Sequence, residues 1–598
     1  MPEKDKSTMF TRFISWRVRH VSDKVFMIAL SVVIGVCAGF AAYILKISVF
    51  LVKQLVTGRF SFDELNFLVL FVPVLGILLT VLFLRYVIRD ETRHGIPTIL
   101  YTIARLEGRM KPHKSFSSII GGSLTTGFGG SAGLESPIIS TGASLGSGIA
   151  EKFRLDFKFK TLLIGCGSAG AMASIFTTPI AAVVFSLEVL MLDLTLASII
   201  PLLIASVTGA ITTKILLAEQ LLVNFKVTEP FLLTDIFYFI ILGFICGFIS
   251  LYFTRMHKYV HRKVEGISST YMRILIGGGI LSLLIFIFPP LYGEGYDMIR
   301  QIMAGQAENM LDYSFLVYFK DSIWVFLGFI ILLIIFKVIA TALTTSSGGI
   351  GGIFGPAAVT GGLLGFSFAR FINDLAILKP LHESNFTLVG MAAVLGGVLH
   401  APLTAIFLVA EMSNGYELIV PLMLATSLAY LTVKAFEPHS LFTFDLASKG
   451  DLLTHHKDRA VLSTLNINNL IEKDVLSINI DAKLCDLIKL VERSSRNLFA
   501  VVDDDDLLIG IITLDNIRKD MFNNENHNKP ISKYMIHLMD DEKAFLNESA
   551  KTVVEKFNRT GNYNMVVVDR GKFVGCLSRA NIFNAYRKQL LDFTVDDE

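Results

Sequence analysis

Two glycine-rich stretches hold the residues best suited to chemistry. Gly129-Gly130-Ser131-Ala132-Gly133-Leu134-Glu135-Ser136-Pro137 is matched later by Gly348-Gly349-Ile350-Gly351-Gly352-Ile353-Phe354-Gly355-Pro356, and both read G-G-x-x-G-x-(Glu or Phe)-x-P. A proline just after such a loop predicts a helix that opens there. The first N–H groups of a helix have no internal partner, and the helix dipole places partial positive charge on them. An anion is the natural occupant of that position, and glycine lets the backbone come close to it. The two copies differ where chemistry would matter. Glu135 is a carboxylate that would compete with a bound anion and would yield when protonated; Phe354, at the same place, can serve only as a wall. One copy thus reads as a gate and the other as a fixed site.

The elements that position these loops share the repeat. Gly142, Gly146 and Ala150 follow the first proline at the spacing at which Gly361, Gly365 and Ala369 follow the second. Small residues at i, i+4 and i+8 line one helix face and admit a neighbouring backbone. Farther on, Pro179, Ala182 and Glu188 match Pro402, Ala405 and Glu411 at identical offsets. Two related halves of a membrane domain imply pseudo-twofold symmetry with an ion site where they meet. The pattern leaves open whether the halves are inverted or parallel.

The 598 residues exceed one ordinary domain, and 53% are hydrophobic, well above the level of soluble chains. Apolar runs at residues 25–51, 65–84, 237–252, 274–287 and 323–340 suit a bilayer. Other runs are short or interrupted by Gly and Pro, as in half-helices that end inside a membrane protein. Lys4, Lys6, Arg12, Arg17, Arg19 and Lys24 precede the first run, which places the N-terminus in the cytoplasm. The net charge of +2 gives no reason to expect a nucleic-acid partner. Cys37, Cys166, Cys246, Cys485 and Cys576 are scattered, without metal-ligand or disulfide spacing. No phosphate loop, zinc cluster or nucleophile triad is visible, and Glu135 lacks a partner for acid–base work, so an enzyme is not expected.

Residues 449–462 form a polar linker. Beyond it the chain is soluble in character and repeats again. Residues 498–502 and 509–517 read as a strand, a turn, a second strand and a helix, and so do 564–568 and 574–582. Helices are predicted ahead of each unit, over 484–494 and 550–560.

Gly133-Leu134-Glu135-Ser136-Pro137 and Gly352-Ile353-Phe354-Gly355-Pro356 resemble the paired G-x-E-x-P and G-x-F-x-P signatures of the CLC chloride channels and chloride/proton antiporters, and the tail resembles a pair of CBS domains. The resemblance implies an all-α polytopic membrane domain of two antiparallel repeats with broken helices, followed by a cytosolic α/β CBS pair. Segments 1–24 (cytoplasmic), 25–448 (anion transport), 449–462 (linker), 463–523 and 529–590 (CBS) and 591–598 (tail) follow from it. It also implies a homodimer in the lipid bilayer, in the plasma (inner) membrane of a bacterium with both termini cytoplasmic, that carries chloride and similar anions. Glu135 becomes the gating glutamate. The amides of Ile353 and Phe354 would hold a central chloride; those around Gly133, Leu134 and Ser136, with Gly355, would hold an outer one.

Five positions depart from the family. Arg93-His94-Gly95-Ile96-Pro97 stands where the family has G-S-G-I-P, so His94 replaces an anion-facing serine. Phe442 falls on the inner tyrosine and lacks its hydroxyl. Val189 falls on the inner proton-handling glutamate and cannot carry a proton, which weighs toward a passive gated channel; a chloride/proton antiporter with an atypical proton path is the alternative. In the CBS pair, Asn516 and Asn581 stand where an aspartate often binds ribose, beside Thr513 and Asp515. Adenine nucleotide is therefore the one cofactor to consider, against a dimerising and stabilising module. A divalent-cation transporter carrying CBS domains is a remote alternative, but it calls for clustered carboxylates in the spans, which are poor in them.

Overall fold

The computed structural model describes residues 16–17, 19–57, 70–90, 95–191, 196–217, 225, 231–312, 314, 317, 322–375, 380–444, 465 and 467–594. The chain divides into two compact units, Met1–Leu452 and Leu453–Glu598. His94, the 449–462 linker, residues 65–69 of the second apolar run and the last four residues of the tail lie outside the described residues.

The first unit is helical. Its first half runs α1 (Asp23–Thr57), α2 (Val72–Leu82), α3 (Ile96–Arg105), α4 (Lys114–Gly127), α5 (Glu135–Lys152), α6 (Phe157–Phe176), α7 (Pro179–Glu188) and α8 (Leu196–Leu216). The second half runs α9 (Ile236–Glu265), α10 (Thr270–Ile287), α11 (Tyr296–Met303), α12 (Ile323–Ser346), α13 (Phe354–Asp374), α14 (Glu383–Leu399), α15 (Pro402–Met412) and α16 (Ile419–Phe436). Among the described residues, seven helices are long and apolar enough to cross a membrane. Shorter helices fill the gaps, and local sequence explains them. Thr177 and His400, two residues before Pro179 and Pro402, turn left-handed at φ 59° and 57°. That ends α6 and α14 and lets proline open the next helix.

The two halves are antiparallel. Glu188, at the end of α7, accepts from the N–H of Leu403 (3.2 Å) and of Thr404 (2.8 Å) at the start of α15. Glu411, near the end of α15, accepts from the N–H of Ile180 (3.0 Å) and of Ala181 (2.8 Å) at the start of α7. Each half thus caps a helix N-terminus of the other with a carboxylate, satisfying donors that would otherwise be orphaned. The small-residue stripes act as the spacing predicts. Gly142 and Gly146 on α5 lie on the carbonyls of Gly167 and Leu163 on α6, and Gly361 and Gly365 on α13 lie on those of Gly390 and Phe386 on α14. A Cβ at any of the four would strike backbone.

The second unit holds two three-stranded sheets of one design. In the first, β1 (Ser477–Asn479) runs parallel to β2 (Leu498–Val502), which pairs antiparallel with β3 (Leu508–Thr513). In the second, β4 (Lys543–Phe545), β5 (Asn564–Asp569) and β6 (Lys572–Ser578) repeat the order and the directions. The helices α17 (Leu484–Arg493), α18 (Leu514–Ile517), α19 (Ala550–Thr560) and α20 (Arg579–Thr594) accompany them. Leu484, Leu487, Phe499 and Val501 fill one core; Val553, Phe557, Val567 and Leu577 fill the other.

Candidate functional site

The glycine-rich loops meet at the centre of the helical unit and are joined symmetrically. Gly133 N–H donates to the Gly352 carbonyl (2.9 Å) and Gly352 N–H donates back to Gly133 (2.8 Å). Ser131 N–H donates to the Thr344 hydroxyl and Ile350 N–H to the Thr125 hydroxyl, both at 3.0 Å. Gly129 and Gly348 open the loops at φ 98° and 107°, a conformation that side chains rarely adopt. These bonds hold the first turns of α5 and α13 toward each other. The threonine hydroxyls and the loop carbonyls use up loop donors that would otherwise be buried without partners.

Glu135, the first residue of α5, is completely buried. Its Oε1 accepts from the Tyr296 hydroxyl (3.2 Å), and its carboxyl lies against Gly355 at the start of α13. Its Oε2 makes no hydrogen bond among the described residues. A buried carboxylate without full pairing costs several kcal/mol on the order of magnitude; two helix N-termini and one phenol offset part of it. Phe354, at the equivalent position of the other loop, is buried with its ring 5.8 Å from Phe176, which in turn meets Tyr296 at 6.2 Å. An acid able to leave a positively polarised niche beside an aromatic wall is an arrangement that can exchange a carboxylate for a small anion.

Around this centre lie charges that the sequence did not single out. Glu294, in the turn before α11, accepts from Leu134 N–H at 2.9 Å. Lys337 on α12 is fully buried and donates to the Gly293 carbonyl (2.8 Å). Lys46 on α1 is buried too and donates to the Ile175 carbonyl (2.6 Å). Both ammonium groups are within electrostatic reach of Glu294.

The other predicted site residues fall as follows. Ile353 and Gly355 flank Phe354 at the start of α13, and Ser136 is the second residue of α5, facing Gly95. The N–H groups of Gly133 and Leu134 are engaged, by Gly352 and Glu294. Phe442 is buried in the main core, and Val189 is the buried C-cap of α7, offering no carboxylate. Glu188 and Glu411 are the helix-capping carboxylates described above. The phenol that reaches the central carboxylate comes from Tyr296. In the second unit Asn516 caps Thr513, accepting from its N–H (3.1 Å) and its hydroxyl, while Asp515 pairs with Arg518 at 2.9 Å and Asn581 donates to Glu472.

Comparison with known proteins decides the family. The model for voltage gated chloride channels matches residues 75–434, and the CBS domain model matches 467–523. This chain belongs to the voltage-gated chloride channel family, the CLC family. The H(+)/Cl(-) exchange transporter ClcA of Vibrio vulnificus (strain YJ016) is 26% identical over 424 residues, which span 68% of this chain and 86% of ClcA. A slow cyanobacterial Cl-/H+ antiporter superposes with TM-score 0.61 at 23% identity, over 71% of this chain and 97% of that one. A CLC-type fluoride/proton antiporter gives 0.58 at 24% identity, over 73% and 98%. A eukaryotic CLC transporter gives 0.57 at 16% identity and spans 93% of this chain. The CLC fold, with its inverted helical halves and α/β tail, is therefore the fold of this chain.

Proposed function

We propose that this protein is an integral membrane transporter that exchanges chloride for protons, with Glu135 as the carboxylate that alternates with the anion. One observation carries the reading: Glu135 sits wholly buried where two helix N-termini converge, its Oε2 without a hydrogen bond among the described residues, in the place an anion would take. The amides of Ile353, Phe354 and Gly355 form the fixed half of the path, and Phe354 is its wall. Val189 favoured a passive gated channel in the sequence. The relatives weigh the other way, because ClcA and two of the similar structures are named as proton-coupled. With Val189 apolar, the proton reaches Glu135 from inside by another group or by water. The divalent-cation reading falls with the family assignment.

The transporter works as a homodimer in this proposal. Ile180 and Leu403, at the starts of the symmetry-related α7 and α15, are exposed, as are Val207 on α8 and Met423 on α16, and an apolar face built from both halves suits a second copy. The N-terminus faces the cytoplasm of a bacterium, so the far end of α1 is external. The CBS pair acts as a stabilising module, since Asn516 and Asn581 are committed to Thr513 and Glu472.

The experiment is chloride movement in proteoliposomes with equal chloride on both sides and an imposed pH gradient. Exchange predicts net chloride transport driven by the protons alone. Absence of net chloride movement, in vesicles that dissipate a chloride gradient normally, would make the protein a channel.

A further inference from the structure

The turns before α3 and α11 each place a glycine at positive φ, with ψ −170° at Gly95 and 0° at Gly295. Gly95 precedes Ile96 at φ 106°, and Gly295 precedes Tyr296 at φ 101°; each is the N-cap of a short helix that packs beside the glycine-rich centre. In the order of the antiparallel halves α3 and α11 are counterparts, which makes Glu294 the counterpart of His94. Glu294 is bonded to Leu134 N–H, the N-cap amide of the helix that Glu135 opens.

We propose that Glu294 is a second carboxylate of the transport path: it occupies the Leu134 amide in place of a halide and must release it for the outer anion site to fill. This inference rests on the reading of Glu135 given above. Three observations support it. The Leu134 amide is one of the donors at the mouth of α5, and a carboxylate oxygen 2.9 Å away takes the position of a bound anion. Glu135, whose own Oε2 makes no hydrogen bond among the described residues, lies close enough for the two carboxylates to repel. The surroundings are charged: Lys46 from α1, Lys337 from α12 and Asp297 on α11 all act electrostatically on Glu294. Asp297 is itself held by Lys53 (3.0 Å) and Arg300 (3.1 Å), and Arg300 also acts on Lys46. When Glu294 withdraws, the two ammonium groups remain to balance the incoming anion. Only a hydrogen bond is exchanged: Leu134 N–H passes from carboxylate to halide.

The test is bromide titration by calorimetry on the full-length protein in detergent. Four forms are compared: wild type, Glu294→Gln, Glu294→Asp and Glu135→Gln. Glutamine keeps an acceptor for Leu134 but loses the charge, and charge-assisted bonds are roughly twice as strong as neutral ones; bromide should bind about tenfold tighter. Aspartate keeps the charge but is one methylene too short for the amide, so it too should tighten binding. If Glu294→Asp binds like the wild type while Glu294→Gln binds tighter, Glu294 acts only through space and the proposal is overturned. If only Glu135→Gln tightens binding, the proposal is overturned and the reading of Glu135 stands. If Glu135→Gln is also silent, both fail. Should Glu294→Gln not fold, the aspartate variant decides alone, with wild-type affinity counting against the proposal.

Discussion

Replacing Glu135 with glutamine removes one charge and almost no volume, which isolates the electrostatic part of the gate. The seated carboxylate gains from three sources: the first turn of α5, the Gly355 end of α13 and the Tyr296 hydroxyl at 3.2 Å. Interaction of a charge with a helix N-terminus is worth roughly 0.3–1 kcal/mol at a surface and up to about 2 in partly buried geometry. The hydrogen bond from Tyr296 drops from the charged class, about 1.5–3 kcal/mol, to the neutral class near 1. Because Tyr296 is at the long end of the distance range, about 2 kcal/mol in total is a fair expectation. That corresponds to roughly 30-fold in the competition between side chain and anion. Halide affinity of Glu135→Gln should rise by about that factor, and chloride flux should lose its dependence on pH. Flux measured from pH 5 to 8 in liposomes, with calorimetry on the same preparation, reads both. A variant that binds halide like the wild type and still responds to pH would refute the role given to this carboxylate.

Three further outcomes follow from the geometry. Gly365→Ala drives a methyl group into the Phe386 carbonyl, and overpacking of this kind costs about 1–3 kcal/mol, so the detergent-solubilised protein should melt several degrees lower, whereas Gly148→Ala, at a glycine with open space around it, should melt as the wild type does. Glu411→Ala strips the cap from Ile180 and Ala181 and should cost about 1.5–3 kcal/mol in a melting curve; an unchanged curve would show the clasp to be dispensable. In the CBS unit, burial and the Asp520 carboxylate at 2.7 Å push the Tyr534 phenol up to about 12. The folded state therefore keeps this proton above the unfolded value near 10, and its stabilisation is lost as pH rises from about 10 to 12. The tyrosinate absorbance missing from Tyr534→Phe should emerge only near the top of that window.

Much of the site was legible because backbone does the work. Loops that present amides need glycine at fixed offsets, and the repeated G-G-x-x-G pattern with its small-residue stripe exposed both loops and the helices behind them. The apolar runs 25–51, 237–252, 274–287 and 323–340 became α1, α9, α10 and α12 for the same reason, since length and composition suffice to define a span; the described part of the 65–84 run forms the shorter α2. The partners of side chains were not legible. Glu188 and Glu411 stood out by spacing, yet their seats on the opposite half depend on the antiparallel arrangement, which spacing leaves open. Tyr296 stands outside both glycine-rich loops, so their pattern does not point to it. The signal that could have found it is brief: Gly293-Glu294-Gly295-Tyr296 answers Arg93-His94-Gly95-Ile96, four residues with one shared glycine. Lys46 and Lys337 lie inside the 25–51 and 323–340 apolar runs, and an ionisable residue inside a span is itself a pointer to function. The strands β1 and β4 have three residues each, too few for alternation to register.

The most direct test of proton coupling uses purified protein in liposomes loaded with high chloride, diluted into low chloride and followed with a pH electrode. As chloride runs out through the exchanger, protons should be carried into the vesicles against a growing gradient, and a proton ionophore should then release them; Glu135→Gln should pass chloride without moving protons. Chloride efflux from the wild type with no proton uptake would contradict exchange and leave a gated anion channel.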